Sequence, residues 1–403
     1  MVFKFWINIM DLSYPDNKKN IDDWIAAHPE SILEKRSRPV TISGKTEHFQ
    51  GYRLPRELIL YNVHNGRYAA DYPQLLKENG GKELDSNDKE DRKKIKNHLL
   101  SLYPDKNDRT IASLKKDGQE KLGIITVDGI LIDGNRRMAC ISKLYDDTQE
   151  TKYNFIDVAR LDRIITDSDR YDCEVRVSMG MDSKVDYGPI DKLIKLDNGI
   201  KLGKSELELA NLMYGMTEKN VKDDLNKLDK MKAYLRTYYD DDENFNPLKN
   251  IDVHFSEMLD TTTVKGYEDL EDEQKEAIEK VSFRLTRSGE KFASRRLRKI
   301  KHAVVEGMEP SLKKLVQIAD DMESYDPVKD EQDDSPTKVQ YVDFEDQVKA
   351  QDNQDKVIIL VNSILANLEF LNTSDPRLKE TESKEKIIKI KNFVDKLTSD
   401  VGV

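Results

Sequence analysis

Two short apolar runs, Gly123-Ile124-Ile125-Thr126-Val127 and Ile130-Leu131-Ile132, flank Asp128-Gly129. That is the pattern of two strands joined by a tight hairpin turn. The second run ends in Asp133-Gly134-Asn135-Arg136-Arg137, after which the apolar period lengthens. Met138, Ile141 and Leu144 then fall on one side of a helix. A further strand is expected over 155–161. Another is expected over 58–63, where Leu58-Ile59-Leu60-Tyr61-Asn62-Val63 runs into the turn Asn65-Gly66-Arg67. Ile95, Leu99 and Leu102 place a helix over 92–102, inside a polar stretch at 77–121. Trp24, Ile25, Ile32 and Leu33 suggest a short helix over 21–35, which Pro29 interrupts.

From 187 onward helical spacing dominates, with helices expected over 205–238, 251–259, 271–286, 295–305, 357–371 and 384–397. The fold class expected is therefore α+β, a small α/β domain followed by a mostly helical region. Along the chain this gives an N-terminal extension (1–51), the α/β domain (52–170), a helical region (171–250) and a second helical region with a basic patch (251–325). An acidic linker (326–356) and C-terminal helices (357–403) follow. The linker carries ten acidic residues against four lysines, a composition that favours a solvated segment.

Composition narrows the class. The 403 residues carry 66 Lys and Arg against 77 Asp and Glu, a net charge of −11, and 35% of them are charged. That balance suits a helix-rich protein in water. Cys140 and Cys173 are too few for a disulfide framework, which points to a reducing compartment and a cytoplasmic location. The apolar N-terminus is broken by Lys4 and Asn8, and the run at 357–371 by Asn362, Ser363, Asn367 and Glu369. Neither a signal peptide nor a membrane span is expected. The six histidines show no zinc spacing, so no metal site is assigned, and the common phosphate-loop, nucleophile-elbow and dinucleotide motifs are absent from the sequence.

Residues 133–137 carry the most chemistry. A strand, a glycine turn and a helix start bring backbone N–H groups and two guanidinium groups into one small volume. Arginines in a first helical turn face the positive end of the helix dipole, at a cost of about 0.3–1 kcal/mol each. A bound phosphate relieves this, because the guanidinium fork matches phosphate oxygens. Pairing with nearby acids is the alternative. Asp133 is the nearest carboxylate able to act as a base or hold Mg²⁺, and it also fits a turn or helix-cap role.

Leu54-Pro55-Arg56-Glu57-Leu58-Ile59-Leu60-Tyr61-Asn62 with Asn65-Gly66-Arg67, then Asp117-Gly118-Gln119, then 133–137, resembles the ParB/sulfiredoxin-like superfamily. Tyr187-Gly188-Pro189-Ile190-Asp191 resembles the segment leading into the helical half of ParB proteins. The resemblance spans about 52–240. It implies that Gly134, Asn135, Arg136 and Arg137 line a nucleotide site, with Arg67 beside it. The nucleotide implied is a triphosphate, CTP or ATP, with Mg²⁺ as its companion. Asn135 stands where the family motif has Glu, and where sulfiredoxins carry their catalytic Cys. The second phosphate motif aligns with 180–184, where Lys184 keeps the positive charge. Cys140 reads as a core residue.

Residues 208–221 resemble a helix-turn-helix, with Ala210 between the helices, Gly215 in the turn and Val221 anchoring the second helix. A plain helical hairpin fits equally. The densest basic stretch is 284–301, where Arg284, Arg287, Lys291, Arg295, Arg296, Arg298, Lys299 and Lys301 oppose Glu290 alone. Such a concentration in an acidic chain suits a phosphate backbone, or else a solvated face paired with 326–356. Together these features imply a nucleotide-dependent DNA-binding switch, with DNA, nucleotide and a second copy of the chain as partners. The alternative is a nucleotide triphosphatase, phosphotransferase or DNA nuclease on the same fold, with Asp133 as its catalytic residue.

Overall fold

A computed structural model describes residues 14–63, 66, 69–180, 188–287, 293–304, 309–321 and 375–401, with the single positions 344, 348 and 368. Arg67, Lys184 and Lys291 lie outside the described residues, as does the expected linker apart from Phe344 and Val348, which are buried, and the helix expected over 357–371 apart from position 368. The fold is mixed α+β. Five strands, β1 (Ile32–Ile42), β2 (Lys45–Pro55), β3 (Gly123–Ile125), β4 (Leu131–Asp133) and β5 (Phe155–Arg160), form one sheet in the order β1-β2-β5-β3-β4. The β3–β5 pair is parallel and the others are antiparallel.

Residues 1–51 are therefore not an extension, since β1 and most of β2 come from that stretch. The alternation of Arg38, Val40 and Ile42, all buried, fits a strand, and Ser43-Gly44 closes the hairpin with positive φ at both positions. The helix expected over 21–35 ends at Ala27 as α1 (Pro15–Ala27). The run at 58–63 is not a strand. It follows a 3-10 turn, Arg56–Leu58, and makes a single parallel bridge between Leu60 and Ile130. Ile59, Leu60, Tyr61 and Val63 are all buried, so this apolar run reflects a buried crossing and not a pleated strand.

Period-2 alternation sends neighbouring strand residues into different cores. Ile125, Leu131, Ile156 and Val158 pack on one side with Ile95, Leu99, Met138, Ile141 and Leu144. These helical residues belong to α3 (Lys89–Leu102) and α5 (Asn135–Thr148), beside α4 (Pro104–Asp117). Ile124, Ile132 and Ala159 join Val40, Ile42, Phe49 and Cys173, the last from α6 (Asp167–Met179). Short α2 (Tyr72–Glu78) lies between the buried crossing and α3.

A third core joins α6 to α7 (Pro189–Lys201), α8 (Glu206–Leu212) and α9 (Glu218–Tyr239) through Tyr171, Val175, Leu196, Leu209 and Val221. Capping boxes at Ser205 and Thr217 start α8 and α9. Then come α10 (Asp252–Thr262), α11 (Asp272–Arg287), α12 (Ala293–Ala303), α13 (Glu309–Asp321) and a last helix, Thr381–Val401. The chain divides into two compact units. One takes the described residues of Met1–Thr263 and Ser282–Arg298, and the other those of Val264–Val281, Lys299–Tyr325 and Gln332–Val403. Among the described residues, no helix is long and apolar enough to cross a membrane.

Candidate nucleotide site and basic helix

At the end of β4 the chain turns through Gly134, whose φ of +119° favours glycine, and enters α5. Gly134 offers no capping side chain, and the first turn of α5 carries no acidic residue. The first side chain of the helix, Asn135, is 1% exposed. Its Oδ1 accepts the backbone N–H of Asn62 at 2.9 Å, while its Nδ2 is buried without a hydrogen-bond partner among the described residues. A buried donor left in this state costs about 1–3 kcal/mol. Beside it, Arg136 is half-buried.

The crossing chain is stitched to the hairpin. Leu60 donates to the Gly129 carbonyl and accepts from Leu131 N–H, both at 2.9 Å. Asn62 thereby lands on the start of α5. The chain beyond is held from α6 and α7. Glu174 Oε1 accepts from Gly66 N–H at 3.1 Å, and its Oε2 pairs with Lys195 Nζ at 2.9 Å, with both side chains about 5% exposed. Lys195 Nζ also sits 4.7 Å from the Tyr171 ring centre, and Tyr171 Oη donates to the Lys195 carbonyl at 2.7 Å. Asp191, in the first turn of α7, accepts from Ala70 N–H at 2.9 Å and Gly188 N–H at 3.3 Å. Sequence reasoning passed over Glu174 and Lys195. The signal for Lys195 was its position inside Leu193-Ile194-Lys195-Leu196, where a solvated lysine is out of phase with the apolar face.

Burial raises the Asp191 carboxyl to about 7; the Ala70 N–H opposes the shift and the nearby Asp71 adds to it. Asp71 in turn pairs with Lys249 at 2.5 Å and lies 3.7 Å from His98. The folded state therefore holds a proton that the unfolded chain releases near the ordinary carboxylate value of about 3.9. The stability from this group is complete below that value and is lost as pH rises through about 7. Asp191→Asn should gain on wild type in urea titrations as pH is raised from about 5 to about 8. A difference that stays flat would remove Asp191 as its source.

Other expected site residues are diverted. Asp133 is not a free catalytic carboxylate: its Oδ2 forms an ion pair with Arg38 Nη2 at 2.7 Å, both side chains largely buried. Arg137 turns to the Lys121 carbonyl at 3.0 Å, so its guanidinium braces the approach to β3. Cys140 is buried, and burial pushes its thiol up to about 11, which suits a core residue. Gln119, part of the resemblance, donates to the Asp157 carbonyl at 2.5 Å and accepts from Asp157 N–H at 2.9 Å. Its side chain thereby ties this segment to β5. Gly134, Asn135 and Arg136 are brought together with Asn62. Arg67 and Lys184 lie outside the described residues. Among the described residues, no group of three or more His, Cys, Asp or Glu could hold a metal ion.

The basic stretch also divides. Arg284 is buried at 4% exposure and is no part of a surface patch, because α11 turns this position inward together with Phe283. Arg287 donates to Tyr239 Oη at 2.5 Å and lies over the Tyr238 and Tyr239 rings. On α12, Arg295 and Arg298 are exposed while Arg296 and Lys299 are half-buried. Arg298 Nε approaches Glu257 at 3.3 Å. In the 208–221 segment, Ala210 and Val221 are buried and Gly215 has φ +70°, as a tight turn between packed helices needs. No family model, no curated protein and no solved structure matches the chain.

Proposed function

We propose that this chain is a nucleotide-binding, DNA-associated protein of the ParB/sulfiredoxin-like kind. In this reading a nucleoside triphosphate, CTP or ATP, places its phosphates at the start of α5 and contacts Gly134, Asn135 and Arg136. Arg67 and Lys184 join from the neighbouring segments. The observation that carries the reading is the buried, unpartnered Nδ2 of Asn135 beneath an α5 terminus that has no side-chain cap. A phosphate oxygen supplies the missing acceptor and meets the positive end of the helix dipole. Mg²⁺ would be carried by the nucleotide itself, since Asp133, the nearest carboxylate in the sequence, is held by Arg38. The same pairing favours a binding switch over an enzyme, which would need a carboxylate beside the phosphates. The free, buried cysteines fit a reducing, cytoplasmic setting.

DNA is assigned to α12, and α8 and α9 are read as a helix-turn-helix-like pair. The nucleotide half is tested by melting the protein in each nucleotide, and the DNA half by salt titration. Arg295→Ala/Arg296→Ala/Arg298→Ala removes three cations, so the log–log salt slope of DNA binding should fall by about 2–3. An unchanged slope would take α12 out of the interface.

A further inference from the structure

A cleft of about 450 Å³ lies between β1, residues 120–122 and α6. Lys35, Arg36, Arg38, Lys121 and Arg176 line it against one acid, Glu120. We propose that this cleft binds the sugar–phosphate backbone of a nucleic acid strand without reading its bases. The proposal rests only on the nucleic-acid half of the reading above and places a second contact on the sheet domain.

The cleft has a floor of bonded arginines and a rim of exposed cations. Arg36 bridges from β1 to the Gln119 and Glu120 carbonyls at 2.9 and 2.7 Å and also bonds Asp157. Arg38 bonds the Leu122 carbonyl and pairs with Asp133. These two guanidinium groups hold β1 against residues 119–122 and are locked in place. Lys35, Lys121 and Arg176 are exposed around them, in a chain whose overall charge is −11. Positive charge gathered against the global sign is the electrostatic footprint of a polyanion site.

The shape favours a strand over a mononucleotide. Seven consecutive residues of β1, 35–41, form one wall. At about 3.3 Å per residue that wall is roughly 23 Å long, enough to pass several phosphates. Among the described residues lining the cleft, none is aromatic, so nothing there stacks on a base. An acidic peptide adding to the outer edge of β1 fits less well. Pro39 has no N–H to offer, and the Thr41 carbonyl is taken by Cys173 Sγ at 3.1 Å. Charge is left as the means of recognition.

The test is fluorescence anisotropy on the full chain, using a labelled mixed-sequence DNA of about twenty nucleotides, single-stranded and duplex, between roughly 50 and 200 mM salt. Lys35→Ala/Lys121→Ala/Arg176→Ala should weaken binding at least about tenfold at the low-salt end and lower the salt slope by about 2–3. Lys35→Gln/Arg176→Gln, two exposed positions, is the second variant should the triple one fail to fold. Either variant, melting like wild type and binding DNA with unchanged affinity and slope, overturns the inference. So does wild type that captures polyglutamate through these cations but not DNA. Loss of binding in the α12 variant alone sinks the inference and leaves the reading above standing. Loss in the cleft variant alone supports the inference and removes α12 from the DNA interface.

Discussion

Lys195→Met is expected to lower stability by about 3–5 kcal/mol, the usual cost of stranding one member of a buried ion pair. Glu174, at about 5% exposure, would lose the ammonium that pairs with it. The loss would reach the loop as well, because the same carboxylate holds Gly66 N–H at 3.1 Å. For a body of this size each kcal/mol shifts the melting temperature by about 2–4 °C, so a fall of roughly 6–20 °C should appear in a thermal melt. Glu174→Leu/Lys195→Met should recover part of it, since an apolar pair of similar volume avoids the desolvation of both charges. Recovery would be incomplete because Gly66 N–H still lacks its acceptor. A single variant that melts with wild type would mean that the pair is solvated.

Gly129→Ala is the second large effect, about 2–5 kcal/mol. Its φ of +94° costs an L-residue about 1–2 kcal/mol. The new Cβ would lie 2.7 Å from the Leu58 carbonyl oxygen, 2.7 Å from Asn17 Nδ2 and 2.9 Å from Ile21 Cδ1. Two of those contacts belong to one hydrogen bond, Asn17 Nδ2 to the Leu58 carbonyl at 2.9 Å. The methyl must therefore separate α1 from the buried crossing, and overpacking of this kind adds about 1–3 kcal/mol. Urea unfolding gives the value directly. A cost under about 1 kcal/mol would contradict the tight seating of this turn.

The same hairpin shows what local pattern can and cannot reveal. Asp128-Gly129 between two apolar runs announced β3, β4 and the start of α5, because turn chemistry and period change are properties of neighbouring residues. The helices from α8 to α12 were legible for the same reason. β1 and β2 were not. Their alternation is diluted by charged and polar residues on the exposed positions, and Ile32 and Leu33, the start of β1, were read as the end of a helix that stops at Ala27. The strand–glycine–helix pattern placed Gly134, Asn135 and Arg136 together at the start of α5, where the structure also has them. The diversion of Asp133 to Arg38 and of Arg137 to the Lys121 carbonyl depends on strands brought together only by folding. Arg284 read as surface because charge alone does not report burial. Glu174 escaped notice because in its own helix it looks like an ordinary polar position, and the out-of-phase Lys195 has no local feature that names its partner.

The proposed site at the start of α5 holds a nucleotide phosphate through Asn135. Melting the protein with CTP, ATP, GTP and UTP, each with and without Mg²⁺, tests it when wild type is compared with Asn135→Asp. That substitution keeps an oxygen for Asn62 N–H and turns the unpartnered donor into an acceptor. Ligand at about 100 times its dissociation constant adds roughly 2.7 kcal/mol, so one nucleotide should raise the wild-type melting temperature visibly and leave the variant unmoved. No shift with any nucleotide, or an equal shift in both proteins, would contradict the account.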